Sequence, residues 1–265
     1  MIATLRIVVV AAAFLIVTLS LLPVQLAALA AGHSLMRRLP RLWHRIMCRI
    51  IGLKVVVHGR LSAERPLLIV SNHISWKDIM VLGSVADVVF IAKFEVRQWP
   101  VFGWLARLQR SVFVDRARPR EVGVQTSEVS ERLLAGEAVV LFAEGTTSDG
   151  NRVMPFKSSL FGAASAALPR APDNTVHIQP VAIAYTGIHG LPMGRYHRPV
   201  ASWPGDVALV PHLLGVLREG ALEVDVVFGE TIAFDAAADR KKTARHVEAQ
   251  IRSAVAAALR GTLPD

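Results

Sequence analysis

The sequence predicts an α/β protein in which helices flank a mixed β-sheet. The first observation is that short apolar runs alternate with helical patterns along the chain. The second is length, because 265 residues are enough for one such domain with a substantial core. The predicted strands are residues 54–58, 67–70, 88–92, 112–115, 138–142, 177–185 and 222–228, and the predicted helices are 77–84, 102–108, 120–135, 159–168, 212–218 and 237–260.

The composition is basic and apolar. Lys and Arg total 30 against 21 Asp and Glu, which gives a formal net charge of +9, and 52% of the residues are hydrophobic. Such a chain fits an anionic membrane surface better than a nucleic acid, so we expect no nucleic-acid partner. Cys48 is the only cysteine, which excludes an intrachain disulfide and a cysteine-based zinc site.

Residues 7–31 form an apolar run that is long enough to cross a bilayer core, which takes about 20 residues. One interpretation is a cleaved signal peptide, because residues 28–30 read Ala-Leu-Ala. We favour a retained anchor at the cytoplasmic face of the inner membrane, because only Arg6 precedes the run whereas an arginine cluster follows it. Pro23 leaves both a spanning and a re-entrant geometry open. The cluster consists of Arg37, Arg38, Arg41, Arg45 and Arg49.

Residues 40–51 predict a basic amphipathic helix with Pro40 at its first position. We expect this helix to lie flat in the lipid interface with Trp43 at headgroup depth, and packing on the domain is the alternative. Residues 1–51 are therefore assigned to membrane binding and residues 52–265 to the α/β domain. The apolar stripe contains Leu42, Trp43, Ile46, Met47 and Ile50, and the basic stripe contains Arg38, Arg41, Arg45 and Arg49.

A candidate site begins directly after the predicted strand 67–70. The carboxyl end of a strand is a common place for a site. Histidine is the side-chain type whose unperturbed pKa lies near neutrality, so His73 is a candidate general base. Asp78 can reach the imidazole if His73 lies on the turn and Asp78 in the first turn of the next helix. A carboxylate there fixes the tautomer and stabilises the imidazolium. Taken alone, the same residues also fit an ordinary helix cap.

Further candidate residues stand at the ends of, or inside, other predicted strands. Each has an ordinary structural explanation, but chance does not readily explain all of them in this order behind His73. The Gly- and Pro-rich loop 187–205 is long for a connection and is expected to rim the site. The candidates are Lys93, Arg116, the run Glu144-Gly145-Thr146-Thr147, and the pair Pro180-Val181.

Together these segments resemble the motifs of the glycerolipid O-acyltransferases of the lysophosphatidic acid acyltransferase type. Asn72, His73 and Asp78 complete the first motif, Asn-His-x4-Asp. Residues 112–116, 142–148 and 178–183 match the other three, although Arg110 replaces the glycine that usually opens the second. The resemblance runs from about residue 56 to residue 185. It implies an acyltransferase-type αβ sandwich and identifies residues 52–265 as the acyltransferase domain.

The resemblance implies that a fatty acyl group moves from an acyl carrier protein or CoA thioester to the free hydroxyl of a lysolipid. His73 would take the hydroxyl proton and Asp78 would orient His73. No residue becomes acylated, and we expect no cofactor and no metal. Backbone N–H groups around Gly145 would stabilise the tetrahedral oxygen. The resemblance assigns supporting roles to Asn72, Glu144 and Thr146. It assigns head-group binding to Lys93, Arg116 and Thr147, and a structural role to Pro180 and Val181.

Thr147 departs from the family, which usually has an arginine there to hold a phosphate. Either Arg110, Arg152 or Lys157 supplies the missing cation, or the acceptor is not a phosphate ester. Our first expectation is the conversion of 1-acyl-sn-glycerol-3-phosphate to phosphatidic acid in phospholipid biosynthesis. The alternative is lyso-ornithine lipid, because residues 144–150 and 155–157 are similar to the corresponding segments of bacterial lyso-ornithine lipid acyltransferases.

Two hypotheses come from other classes of protein. A membrane lipid or thioester hydrolase would use the same His–Asp pair on water, and it would cleave a thioester without any lysolipid. A non-catalytic membrane-binding protein would keep the apolar run and the basic helix, but it would not need His73 or Asp78.

Overall fold

A mixed β-sheet forms the centre of the protein. The computed structural model describes residues 2–115, 122–205 and 207–263, and within these ranges it describes all side chains except those of residues 2 and 122–126. The strands are β1 (Leu53–His58), β2 (Leu67–Ser71), β3 (Val88–Lys93), β4 (Val112–Val114), β5 (Ala138–Phe142), β6 (Val176–Ile188), β7 (Leu191–Pro192), β8 (Leu222–Phe228) and β9 (Ile232–Phe234). The helices are α1 (Ile2–Ala30), α2 (Leu35–Ile51), α3 (Lys77–Val85), α4 (Phe102–Leu108), α5 (Val122–Leu134), α6 (Gly162–Ala167), α7 (Arg198–Ala201), α8 (Leu209–Glu219) and α9 (Arg240–Arg260).

The strand order is β1-β8-β6-β2-β5-β3-β4, and β7 and β9 pair with β6 outside this path. Neighbours from β6 through β2, β5 and β3 to β4 are parallel, whereas β8 runs antiparallel to β6. The predicted mixed sheet is therefore confirmed. Because β2, β5 and β3 are parallel, they end at one edge of the sheet, which we call the carboxyl edge. The opposite edge, where they begin, is the amino edge.

Helices cover both faces of the sheet and form a three-layer sandwich. On one face, residues of α5, α6 and α9 such as Leu133, Ala164 and Ile251 pack against the strands and are almost fully buried. On the other face, α2, α3 and α8 contribute residues such as Cys48 and Val81. The two apolar layers make β2 and β5 buried along their whole length, as expected for parallel strands.

All seven predicted strands are present, but two short strands and one short helix were not predicted. β7 and β9 contain two and three residues, and α7 contains four, so each is too short to leave a periodic pattern. α9 begins at Arg240 rather than at residue 237. Asp239 is the reason, because its side chain accepts hydrogen bonds from the N–H groups of Lys241 and Lys242 and caps the helix.

α1 lies alongside the rest of the protein instead of projecting from it. Near its start, the Arg6 guanidinium donates to the carbonyls of Glu219 and Ile51 at 3.0 and 3.1 Å. Near its end, Gln25 Nε2 donates to the carbonyl of Leu108 at 2.8 Å. The helix is long and apolar enough to cross a membrane by length and composition, and most of its surface is uncovered. Both ends are nevertheless held by the α/β domain.

The start of α2 differs from the prediction, because the helix begins at Leu35 and contains Pro40 in its interior. A proline inside a helix removes one N–H and leaves the carbonyl four residues earlier without its usual partner. That carbonyl belongs to Met36, and it accepts a hydrogen bond from Gln25 Nε2 at 3.1 Å instead. A contact from α1 therefore compensates for the proline, which the sequence of α2 alone does not reveal.

Part of the apolar stripe of α2 packs on protein, as in the alternative to the lipid interface, whereas Leu42 is exposed. The indole of Trp43 packs edge-on against Phe14 of α1, and its N–H donates to Thr18 Oγ1 at 3.0 Å. Met47 is buried in the same helix. On the α3 side the approach is so close that a Cβ on Gly83 would lie 2.4 Å from the ring of His44. Much of the basic stripe stays on the surface, where Arg38, Arg45 and Arg49 are exposed.

Candidate active site

The centre of the candidate site is a hydrogen bond between His73 and Asp78. His73 follows β2 at the carboxyl edge, and Asp78 is the second residue of α3. His73 Nδ1 lies 2.8 Å from Asp78 Oδ2. This confirms the predicted geometry, in which a turn carries the imidazole and the first helical turn carries the carboxylate. The imidazole is the more accessible of the two, since 18% of the His73 side chain is exposed and none of Asp78.

Asp78 is held by hydrogen bonds from every side. Its Oδ2 also accepts from the backbone N–H groups of Ile74 and Ser75 at 2.6 and 2.8 Å. Its Oδ1 accepts from the hydroxyl of Tyr185 at 2.9 Å. Donors therefore contact both oxygens of the buried carboxylate. The carboxylate therefore receives the Nδ1 proton of His73 as a hydrogen bond and leaves Nε2 as the basic nitrogen.

Phe142, the last residue of β5, fixes the plane of the imidazole. The two rings are stacked at a centroid distance of 3.9 Å and an interplanar angle of 12°. Among the described residues, none hydrogen-bonds to His73 Nε2. The imidazole is thus held on one nitrogen and one face, and the second nitrogen is presented to the carboxyl edge.

Asn72 connects the turn that carries His73 to β6. Its Nδ2 donates to the carbonyl of Ile183 at 2.9 Å, and its Oδ1 accepts from the N–H of Ile183 at 2.8 Å. This pair of bonds imitates a strand pairing after β2 has ended. Asn72 is almost fully buried and supports the site through β6.

Pro180 and Val181 lie in β6 beside the end of β2, where they pair with Val70 and Ser71. A proline is unusual in a central strand because it lacks the N–H for the ladder. β6 tolerates it because β9 pairs with residues up to Ile178 and β8 begins pairing only at Val181. Pro180 lies in the gap between these two partners.

Glu144 supports the backbone of His73. Its Oε1 accepts a hydrogen bond from the N–H of His73 at 3.1 Å, and its Oε2 is buried without a partner among the described residues. Burial raises the pKa of Glu144 to about 8, although hydrogen bonds from the N–H groups of His73 and Met154 act in the opposite direction. The carboxyl group is therefore mainly neutral at pH 7 and adds little charge beside Asp78.

The loop after β5 contains the backbone N–H groups that are candidate donors to a developing oxyanion. Gly145 has φ +76°, a conformation that favours glycine, and its N–H donates to the carbonyl of Phe142 at 3.1 Å. In the described structure, no acceptor is bonded to the N–H of Thr146 or Thr147. These two N–H groups are better candidates than that of Gly145 for a developing oxyanion. Thr147 itself is buried, with 9% of its surface exposed.

The cations predicted for the head group differ in how the structure places them. Lys93 is the last residue of β3, so it reaches the carboxyl edge and is exposed. Arg116 lies outside the described residues. Arg152 and Lys157 are exposed on the loop that follows β5.

Arg110 does not supply the missing cation, which corrects that part of the prediction. It pairs with the carboxylate of Glu137, which is almost fully buried. Arg110 precedes β4 and Glu137 precedes β5, so both lie at the amino edge, away from His73. Arg110 adopts φ +64°, the left-handed conformation that explains why glycine is usual at this position.

Lys77 is a site residue that the sequence did not reveal. Its side chain is completely buried, and Nζ donates to Ser75 Oγ at 2.9 Å and to the carbonyl of Ala201 at 2.7 Å. The ammonium group also lies 5.1 and 5.4 Å from the ring centroids of Trp76 and Tyr185. Burial lowers the pKa of Lys77 to about 7, and the neighbouring carboxylate partly offsets this effect. A lysine in the first turn of a helix is usually solvated, so no sequence signal marks it.

The loop 187–205 contacts the site at its carboxyl-terminal end, as predicted. The carbonyl of Ala201 accepts the hydrogen bond from Lys77, and the N–H of Trp203 donates to the carbonyl of Ile74 at 2.8 Å. Ile74 lies between His73 and α3, and Lys77 is the first residue of α3. The end of the loop is therefore fastened to the turn that carries His73.

The chain is similar to several known proteins. The profile of the family described as Acyltransferase matches residues 54–184. A lyso-ornithine lipid O-acyltransferase of Rhizobium meliloti is 59% identical over 245 residues, which cover 92% of this chain and 84% of that protein. A lyso-ornithine lipid O-acyltransferase of Brucella abortus is 56% identical over 261 residues, which cover 98% of each chain.

A solved structure has the same fold. The crystal structure of the 1-acyl-sn-glycerophosphate acyltransferase PlsC from Thermotoga maritima aligns with a TM-score of 0.58 at 23% identity, over 82% of this chain and 76% of that one. At this identity the likeness establishes the architecture of the sheet and its flanking helices.

Proposed function

Because the chain belongs to the Acyltransferase family and acts on lysolipids, we propose that it acylates the free hydroxyl of lyso-ornithine lipid. The observation that carries the proposal is the hydrogen bond between His73 Nδ1 and Asp78 Oδ2, which leaves Nε2 as a base at the carboxyl edge. A general base and an orienting carboxylate are what the transfer of an acyl group to a hydroxyl requires.

In the proposed reaction, His73 Nε2 removes the proton from the lysolipid hydroxyl as its oxygen attacks the thioester carbonyl. The tetrahedral oxygen receives hydrogen bonds from the N–H groups of Thr146 and Thr147. Collapse of the intermediate forms the ester and expels the thiolate, which takes the proton back from the imidazolium. Asp78 stabilises the imidazolium throughout. The thioester belongs to an acyl carrier protein or to CoA.

The choice of acceptor rests on two observations. The two relatives that match nearly the whole chain are named for lyso-ornithine lipid, and Thr147 offers no charge for a phosphate. Ornithine with an acylated α-amine carries a carboxylate and a second amine, so a neutral residue avoids repelling that amine. The first expectation from the sequence, 1-acyl-sn-glycerol-3-phosphate, becomes the second candidate. It is supported by the exposed Lys93 at the carboxyl edge.

We also propose that the enzyme works at the cytoplasmic face of the inner membrane. α1 supplies the apolar surface, and the exposed arginines of α2 supply attraction to anionic lipid. Since the α/β domain holds both ends of α1, the carboxyl edge stays at a fixed position relative to the membrane.

The acceptor is tested by the substitution Thr147→Arg. We expect it to lower kcat/KM for lyso-ornithine lipid by about tenfold or more, because a guanidinium would repel the head-group amine, and charged hydrogen bonds are worth roughly 1.5–3 kcal/mol. The ratio of kcat/KM for lyso-ornithine lipid to that for 1-acyl-sn-glycerol-3-phosphate should fall. Steady-state kinetics with each purified lysolipid measures both values.

Thr147→Met is the matched control, since it adds a long side chain without charge and separates crowding from electrostatics. Crowding alone would make both variants lose activity equally on both acceptors. A wild-type enzyme that prefers 1-acyl-sn-glycerol-3-phosphate would overturn our choice of acceptor.

A further inference from the structure

Arg198 is a buried cation that the chemistry described above does not use. It is the first residue of α7, and only 9% of its surface is exposed. Its Nη1 donates to Asn151 Oδ1 at 2.7 Å, whereas its Nε is buried without a hydrogen-bond partner among the described residues. Among the described residues, no carboxylate forms an ion pair with Arg198, and the positive charge of Arg195 acts on it more strongly than the negative charge of Asp149. Burying a guanidinium without a paired counter-ion is costly, so the position favours an external anion.

Two hydrogen bonds to Asp149 fix the orientation of the Asn151 amide beside Arg198. Asn151 donates from Nδ2 to Asp149 Oδ2 at 3.1 Å, and its backbone N–H donates to Asp149 Oδ1 at 2.9 Å. These two bonds orient the amide so that Oδ1 faces Arg198. The neutral Asn151 holds one nitrogen of the fork but neutralises none of its charge.

Arg198 also lies between the two segments that surround the catalytic histidine. In α7, the carbonyl of Ala201 accepts from Lys77. On the other side, Asn151 follows the loop in which the N–H of Ser148 donates to the carbonyl of His73 at 2.8 Å. Arg198 is therefore linked, through α7 and through Asn151, to the two segments that surround His73.

We propose that Arg198 forms the binding site for the carboxylate of the acceptor's head group. A planar guanidinium accommodates two carboxylate oxygens through a pair of parallel N–H donors. Arg198 thus supplies an anion site from the loop before α8 rather than from position 147. The inference rests on the proposed function, because it names the group of the lysolipid that this arginine recognises.

The first test compares lyso-ornithine lipid with its methyl ester, which lacks the negative charge but keeps the amine and the free hydroxyl. We expect the wild-type enzyme to show a KM at least about tenfold higher for the ester, with kcat changed less than threefold, as for an interaction that binds the ground state and the transition state equally. Equal KM values for the acid and the ester would overturn the assignment.

Two variants locate the effect on Arg198. Arg198→Gln should raise KM for the acid to that for the ester and leave the ester unaffected. Asn151→Asp keeps the arginine but gives it an internal carboxylate, so it should also raise KM for the acid while preserving the packing. If either folded variant distinguished acid from ester as well as the wild type does, the site would lie elsewhere. If Arg198→Gln did not fold, Asn151→Asp and the ester comparison would still decide.

The outcomes also separate this inference from the proposed function. A wild-type enzyme that acylates no lyso-ornithine lipid contradicts the function itself. An enzyme that acylates it but treats acid and ester alike contradicts only the role of Arg198. A third outcome is that Arg198→Gln uses 1-acyl-sn-glycerol-3-phosphate less well than the wild type, while the wild type treats acid and ester alike. That result would assign the anion site to a phosphate and overturn its assignment to a carboxylate.

Discussion

Replacing His73 with alanine is expected to lower kcat by at least about 10²-fold, which is the usual effect of losing a general base. The base is the only part of the dyad that reaches the reacting hydroxyl, since Asp78 is completely buried. Folding should persist, because the imidazole is partly exposed and its removal leaves β2 and α3 intact. Initial rates with saturating lysolipid and thioester measure the effect.

The control for His73→Ala is to measure the folding and the membrane binding of the same variant. Its thermal unfolding temperature and its sedimentation with anionic vesicles should match those of the wild type, because α1 and α2 are untouched. A folded His73→Ala enzyme that turns over at a near-normal rate would eliminate the proposed mechanism.

Replacing Asp78 with asparagine is expected to lower kcat by about 10²- to 10⁴-fold. The amide keeps the shape of the carboxylate but cannot stabilise the imidazolium, and it can favour the wrong tautomer of His73. Stability should fall as well, because charge-assisted bonds from Ile74, Ser75 and Tyr185 become neutral bonds. Kinetics and thermal unfolding of the same preparation separate the two effects.

Tyr185→Phe is the matched control for Asp78→Asn, because it removes only the hydrogen bond to Oδ1 and keeps the charge. We expect it to reduce kcat by less than about tenfold. If Tyr185→Phe were as damaging as Asp78→Asn, packing around the carboxylate would matter more than its charge.

The parts of the site that the sequence predicted are those set by local spacing. His73 and Asp78 are five residues apart, and the contact between them depends only on a strand, a turn and the first turn of a helix. The order of apolar runs likewise predicted the seven main strands. Short-range patterns of this kind carry the information that a single sequence exposes.

The parts that were missed depend on contacts between distant segments. Lys77 is buried where the end of the loop 187–205 contacts it, and Arg198 meets Asn151 across 47 residues. Arg110 was one of three residues that the sequence offered as the missing head-group cation. The parallel direction of β4 and β5 instead places it at the amino edge with Glu137. Such placements follow from strand order, which the sequence did not specify.

α2 shows the same limit at the membrane-binding end of the chain. Its basic and apolar stripes were read correctly as an amphipathic pattern, but the pattern does not say which surface covers the apolar side. In the structure α1 and α3 cover much of it, and the hydrogen bond from Gln25 to Met36 allows Pro40 to stand inside the helix. Arg38, Arg45 and Arg49 of the basic stripe remain exposed.

The most direct test of the account is the coupling between thioester cleavage and lysolipid acylation. Purified full-length protein is given an acyl carrier protein thioester with lyso-ornithine lipid, with 1-acyl-sn-glycerol-3-phosphate, or with no acceptor, and both free thiol and lipid products are quantified. We expect thiol release to depend on lyso-ornithine lipid, with one acylated lipid formed for each thiol. Thiol release at the same rate without acceptor, with free fatty acid as the product, would identify a hydrolase and contradict the account.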